Sequence, residues 1–383
     1  MRKSDAVFEV HLDAITENFR MMKDLVGDRV EVAAVVKSDA YGLGLSEVSG
    51  SLASVGCKTF MVADTDEAAR LRALYLGATI VVLKADLPQS GEIIASQKLT
   101  AVVNGADDLD WLRRFGHGIP YFLNVETGFS RFGIDPKKMR ALRHEGAFGA
   151  TSPACIFSHL GCSDNANDRT NDEQRRKLLA VRHVFPQARL SLSASAGIWL
   201  GRGYHLDVVR VGSAIYGLNN ARLFPNPLYR TVRLRAPLVD IRSIPPRQAV
   251  GYGATFRTKR ATRLGIVSIG YRHGLPWACA NRMEVKIGEH FAPVIGRIAM
   301  EYTTIDLTDV PENALVRGGD VDFLHEDFGI DEMAAAGGTS SQETLVRLGC
   351  GCHRIHTDQT PATARVIAAR RQLGRLSRNA RIS

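Results

Sequence analysis

VAAVV (32–36), FMVA (60–63), TIVVL (79–83), TAVV (100–103), YFLNV (121–125), CIFSHL (155–160), RLSLS (189–193) and LDVVR (206–210) are eight short apolar runs rich in β-branched residues. Most are separated by stretches such as Asp66 to Leu74 and Asn171 to His183, where apolar residues recur at three and four, the period of a helix. Strands alternating with helices build a parallel sheet, and eight of them predict a (β/α)8 barrel, a small one.

The pattern changes after FPNPLYR (224–230), whose two prolines mark a linker. LGIVSI (264–269), MEVKI (283–287) and EYTTIDL (301–307) follow as strand-like runs without long helices between them. The fold class is therefore α/β, with an N-terminal barrel over 1–230 and a C-terminal mostly-β domain over 231–383. A first strand at about 5–11 is a candidate to join the β domain, and Asp13 starts a helix, with Glu17 four residues on.

Composition narrows the class further. With 45% hydrophobic and 23% charged residues in 383, the chain reads as an ordinary globular protein. No run approaches the ~20 apolar residues of a membrane span, so a cytoplasmic, non-membrane protein is expected. The six cysteines (57, 155, 162, 279, 350 and 352) form no CxxC pair, which fits neither a disulfide framework nor a zinc site, and no metal is expected. The net charge of +9 suggests nucleic acid until it is located. Six arginines (365, 370, 371, 375, 378 and 381) lie beyond Gln359 without one acid, and setting them aside leaves only +3. A solvated terminus is expected, not a nucleic-acid surface.

A barrel carries its reactive groups at the C-terminal ends of its strands. The first run delivers Lys37 and then the turn SDAYGLG, in which Gly42 and Gly44 allow a tight bend and Tyr41 stays near the lysine. Burial of such a lysine lowers its pKa toward the range useful for imine chemistry. The fifth run ends in Asn124 and leads to Arg131, the sixth brings His159, the seventh leads to Ser195, and the eighth brings Arg210 followed by Gly212 and Ser213. The last two positions are where barrels commonly hold phosphate, through loop N–H groups and a short helix start.

These residues lie in segments that resemble the bacterial alanine racemases, from VFEVHLDAI through RLGCGCHRI. The strongest is AVVKSDAYGLG (34–44), although Ser38 and Leu43 stand where alanine and histidine are usual. TGFSRFG (127–133), SHL (158–160), SAG (195–197), VRVGSAIYG (209–217), VGYGATFR (250–257), IGYRHGLP (269–276) and VIGRIAMEYTTIDL (294–307) follow in the family's order.

The resemblance implies a pyridoxal-phosphate (PLP) enzyme that racemises a small amino acid, L-alanine first. Lys37 would bind the cofactor covalently, Tyr41, Ser195, Gly212 and Ser213 would hold its phosphate, and Arg210 would face its pyridine nitrogen. Lys37 and Tyr252 would be the two bases, with His159 linking Arg210 to Tyr252. Arg131, Met300 and Tyr271 would meet the substrate. The resemblance also implies a homodimer in which Tyr252, Tyr271 and Met300 of the partner subunit complete each site.

Four positions depart from the family pattern: Asn124 for a lysine that becomes carbamylated, Glu126 for aspartate, Ala194 for asparagine and Gln342 for a phosphate-contacting tyrosine. Asn124 brings no charge to balance Arg131, so a bound chloride between the two is expected. The competing readings are a broader-specificity racemase acting on serine or basic amino acids, another PLP reaction on the same scaffold, and a non-catalytic PLP-binding protein.

Overall fold

The computed structural model describes residues 6–74, 77–116, 118–149 and 151–358. The arginine-rich segment from Gln359 lies outside the described residues.

Eight parallel strands close into a barrel: β2 (Glu31–Val35), β3 (Thr59–Val62), β4 (Thr79–Val82), β5 (Thr100–Val103), β6 (Tyr121–Asn124), β7 (Cys155–Phe157), β8 (Arg189–Ala194) and β9 (Val208–Val211). Closure is made by β2 against β9, where Ala33 pairs with Arg210 and Ala34 with Val211. The expected barrel is borne out. The run CIFSHL is a strand only through Phe157, so Ser158 and His159 belong to the rim and not to the wall.

The interior is filled. Ala33, Met61, Val81, Val102, Phe122, Cys155, Phe157 and Val208 form one buried cluster, with side chains from every strand but β8. The inner face of β8 carries Ser191 and Ser193 instead, both fully buried. That polar patch is where Arg210 docks.

Among the described residues the chain divides into two compact units, one of residues 15–40 and 44–228 and the other of residues 6–14, 41–43 and 229–358. The second unit is organised by β10 (Val232–Ile244), a 13-residue strand. Along β10 pair β1 (Val7–His11), β17 (Asp320–Leu324) and β13 (Thr262–Val267), all antiparallel. The strand β18 (His353–Thr357) lies parallel to β1 on its other side, so the ends of the described chain share one sheet. The expected mostly-β domain is present, with two helices late in the chain, Ile330–Gly337 and Ser341–Gly351.

The helix Ser341–Gly351 packs on residues 41–43 through glycine. A Cβ at Gly349 would fall 2.2 Å from the Gly42 carbonyl oxygen, so no larger residue fits there.

Candidate active site

Lys37 follows β2, and the chain beyond it does something composition does not announce. Ser38, Asp39 and Ala40 lie at φ 54–56°, and Tyr41 at φ 58°, a full left-handed turn without a glycine. Each such residue costs about 1–2 kcal/mol relative to the right-handed form. The reading of SDAYGLG as a bend made by Gly42 and Gly44 is therefore corrected: the bend starts four residues earlier, and glycine only finishes it. Its hydrogen bonds offset the strain. Ala40 N–H donates to Val36, Gly44 N–H to the Asp39 carbonyl, and Leu45 N–H to the Asp39 carboxylate at 3.0 Å. Burial lowers the Lys37 pKa, the Arg131 charge lowers it further, and Glu67 opposes both. A larger fraction of the amine is thereby neutral than for a solvated lysine.

Arg210 comes from β9 and turns into the polar inner face left by β8. It is 5% exposed, and its guanidinium donates to Ser191 Oγ (2.5 Å) and to the Ser158 carbonyl (2.6 Å) while lying 4.9 Å from the centroid of the Phe157 ring. Burial pushes its pKa down to about 10, which leaves it charged at neutral pH.

His159 stands beside it, with Nδ1 3.4 Å from the Arg210 guanidinium. Arginine has donors only, so Nδ1 must accept, and a neutral ring then carries its proton on Nε2. The ring is neutral: burial, with the charges of Arg210, Arg131 and Lys37, pushes its pKa down to about 3. The pair is thus a fixed cation and a fixed neutral donor.

On the rim after β6, Phe129 meets the His159 ring edge-on at 4.9 Å, and the Arg131 guanidinium lies 4.6 Å from the centroid of the Phe129 ring. Phe129 sets the spacing of the two groups, a role the sequence reading missed although the residue stands inside TGFSRFG. Glu126, longer than the usual aspartate, accepts the N–H groups of Gly128 and Ser130 and so ties down the loop that presents Arg131.

Asn124 ends β6 and donates through Nδ2 to Asn104 Oδ1 at 2.8 Å, while Asn104 donates to the Leu83 carbonyl at 3.0 Å. This chain fixes the orientation of both amides, and it leaves the second N–H of Asn124 free of that contact.

Ser195 follows β8 and lies under the turn after β9. Its Oγ accepts the N–H groups of Gly212 and Ala214, each at 3.1 Å, so both lone pairs are used and the hydroxyl is left as a donor. The Ser195 hydroxyl and Ser213, beside Gly212, form a small turn suited to an anion.

A further buried group organises this rim. Gln174, on the helix Arg169–Ala180, accepts the Gly161 N–H at 2.9 Å and donates to the His159 carbonyl at 2.8 Å and toward Thr127 Oγ1 at 3.4 Å. It is fully buried. Its signal was available in the sequence, because Asn171, Gln174, Leu178 and Val181 recur at helical spacing and two of the four are amides. Gln174→Leu leaves two loop groups unpaired and is expected to lower stability by about 2–4 kcal/mol in urea titration. A loss below about 0.5 kcal/mol contradicts this role.

The other unit holds the remaining predicted residues. Tyr252 tips a two-stranded hairpin between β11 (Ala249–Val250) and β12 (Phe256–Arg257), with Gly251 and Gly253 both at φ 69°. It is 68% exposed. Tyr271 N–H donates to the Ala299 carbonyl and Arg272 N–H to that of Met300, which brings Tyr271 and Met300 onto neighbouring loops, both largely exposed. The hairpin tip lies against Arg297, three residues before Met300. Tyr41 is half-buried, its phenol pushed up to about 12 by burial, so it acts as a neutral donor. Gln342 lies half-buried near the start of its helix. Among the described residues there is no metal-binding cluster and no helix long and apolar enough to cross a membrane.

The chain matches two family models, the alanine racemase N-terminal domain over residues 10–220 and the alanine racemase C-terminal domain over residues 231–356. It is 47% identical over 373 residues to a biosynthetic alanine racemase of Mesorhizobium japonicum, covering 97% of this chain and 93% of that one. A second relative from the same organism, alanine racemase 3, is 46% identical over 364 residues, covering 95% of this chain and 94% of that one. Among solved structures, the alanine racemase of Bartonella henselae with covalently bound pyridoxal phosphate superposes with a TM-score of 0.85 at 30% identity, covering 92% of this chain and all of that one.

Proposed function

The chain belongs to the alanine racemase family, and from that premise we propose that it interconverts L- and D-alanine with pyridoxal phosphate held on Lys37. The observation that carries this reading is a lysine of lowered pKa sharing one barrel rim with Arg131 and with a buried Arg210–His159 pair. The match of both domains sets aside a lone barrel that only binds the cofactor.

The residues fit the cofactor. A donor-only hydroxyl at Ser195 beside Gly212 and Ser213 suits a phosphate, and Tyr41 adds a neutral phenol to the same set. Arg210, still charged at neutral pH, offers the pyridine nitrogen a hydrogen bond without giving up its proton. When bound, pyridoxal phosphate supplies the electron sink that makes a substrate Cα–H acidic.

Racemisation needs a base on each face of Cα. Lys37 Nζ holds or releases the proton on one face and Tyr252 of the partner subunit does so on the other. A phenol has an ordinary pKa of about 10, so its ionised form needs a donor. His159 provides one at Nε2–H, and its refusal to take a proton above about pH 3 keeps that donor constant. Arg131 and the backbone N–H of Met300 of the partner subunit hold the substrate carboxylate, and Tyr271 of the partner subunit lines the site, in a homodimer with shared sites. Chloride between Asn124 and Arg131 replaces the anion that a carbamylated lysine provides elsewhere in the family.

The test is a panel of L-amino acids incubated with purified protein and cofactor, with and without halide, and read by chiral chromatography. D-alanine as the principal product, falling on halide removal, is expected. D-serine or D-lysine as the principal product favours the broader-specificity reading, which Gln342 in place of a larger tyrosine supports, and no racemised product overturns the assignment.

A further inference from the structure

A left-handed turn of non-glycine residues directly after Lys37 needs an external hold, and two side chains of one helix reach it from beyond the neighbouring strand: Arg70 meets the Asp39 carboxylate at 3.2 Å, and Glu67 takes the backbone itself. Glu67, near the start of the helix Thr65–Leu74, accepts the Asp39 N–H on Oε1 at 2.7 Å and the Ala63 N–H on Oε2 at 2.9 Å. Asp39 follows the end of β2 and Ala63 the end of β3, so one carboxylate ties two strand exits together. Ordinary helix capping does not account for this. Asp64 already accepts the Glu67 N–H at 3.1 Å, and the Asp39 N–H is 28 residues away from Glu67.

The barrel uses the same device once more. Asp108, near the start of the helix Ala106–Phe115, accepts the Asn104 N–H after β5 at 2.8 Å and the Leu87 N–H after β4 at 3.1 Å. The Asp108 clamp holds the Asn104–Asn124 amide chain. The Glu67 clamp holds the lysine.

The geometry points to Glu67 as a positioning residue that aims Lys37 by locking the turn Ser38–Ala40 in its left-handed form. It also sets an anion near the amine, opposing the drop in basicity that burial and Arg131 impose. Backbone aim and charge therefore come from one group. This role rests on the reading of Lys37 as the residue that carries the cofactor.

The test compares Glu67→Ala, Glu67→Gln and, as a control clamp of equal kind, Asp108→Ala in the full-length protein loaded with pyridoxal phosphate. Hydrogen exchange over residues 38–45 is expected to quicken about ten- to a hundredfold in Glu67→Ala and to stay at the wild-type rate in Asp108→Ala. The pH midpoint of the bound-cofactor absorbance should move down in both Glu67 variants, because the nearby negative charge is lost, and a purely structural brace would not move it. If Glu67→Ala does not fold, Glu67→Gln keeps the shape and one acceptor, and should show intermediate exchange with the same direction of midpoint shift. Wild-type exchange in the Glu67 variants, an unmoved midpoint, or an equal response in Asp108→Ala overturns the proposal. A wild-type chain without any lysine-bound cofactor band sinks the reading of Lys37 itself, and exchange then still judges the clamp alone.

Discussion

Lys37→Ala is expected to abolish both the lysine-bound absorbance of the cofactor and racemisation, the latter by about ten-thousandfold or more, because in the proposed function one side chain serves as attachment point and as base. Lys37 sits at a strand end where burial and the Arg131 charge depress its basicity. Lys84 follows β4 and Lys98 precedes β5, so the barrel carries its own comparison lysines near strand ends. Borohydride reduction of the loaded wild-type protein should fix the cofactor on the peptide that contains Lys37 and on neither of these. Recovery of the label on another lysine, or activity within tenfold of wild type in Lys37→Ala, contradicts the assignment.

Tyr252→Phe is expected to cost about a hundred- to ten-thousandfold in rate, with thermal stability unchanged because the side chain is largely exposed in the protomer. The sharper form of this prediction mixes two inactive proteins. If Lys37 and Tyr252 of the partner subunit share a site, a Lys37→Ala and Tyr252→Phe mixed dimer holds one site with both changes and one with neither. Random pairing makes half the dimers mixed, so activity should return to roughly a quarter of wild type. Mixed dimers verified by mass that remain inactive refute the shared site.

The barrel was legible because most wall strands are buried on both sides and so read as short apolar runs, RLSLS of β8 being the exception. The second unit was legible only in outline, since β10 is a long strand whose charged residues pair sideways with Glu9, Asp320 and Asp322, a pattern that periodicity alone does not expose. Of the rim, Lys37, His159 and Arg210 were found because strand ends can be counted, and the structure brings these three together. The clamps Glu67 and Asp108 escaped notice because each sits on a helix near its start, where a carboxylate usually serves its own helix, while Gln174 lies mid-helix among buried positions that read as core. The left-handed turn escaped for a different reason. Its local hydrogen bonds are joined by a contact 28 residues distant, from the Asp39 N–H to Glu67, and single-residue preferences point the other way.

The plugged centre of the barrel has a consequence for traffic. With Ala33, Met61, Phe122 and their neighbours filling the bore, molecules have no route through it, and whatever reaches Lys37 arrives and departs on the side of the rim where the strands end. The two enantiomers of a racemase substrate differ only in handedness and compete for the same site, so each is expected to inhibit the turnover of the other. Net flux then follows the ratio of the two in the surroundings, and direction is set by whatever removes one hand, not by the enzyme.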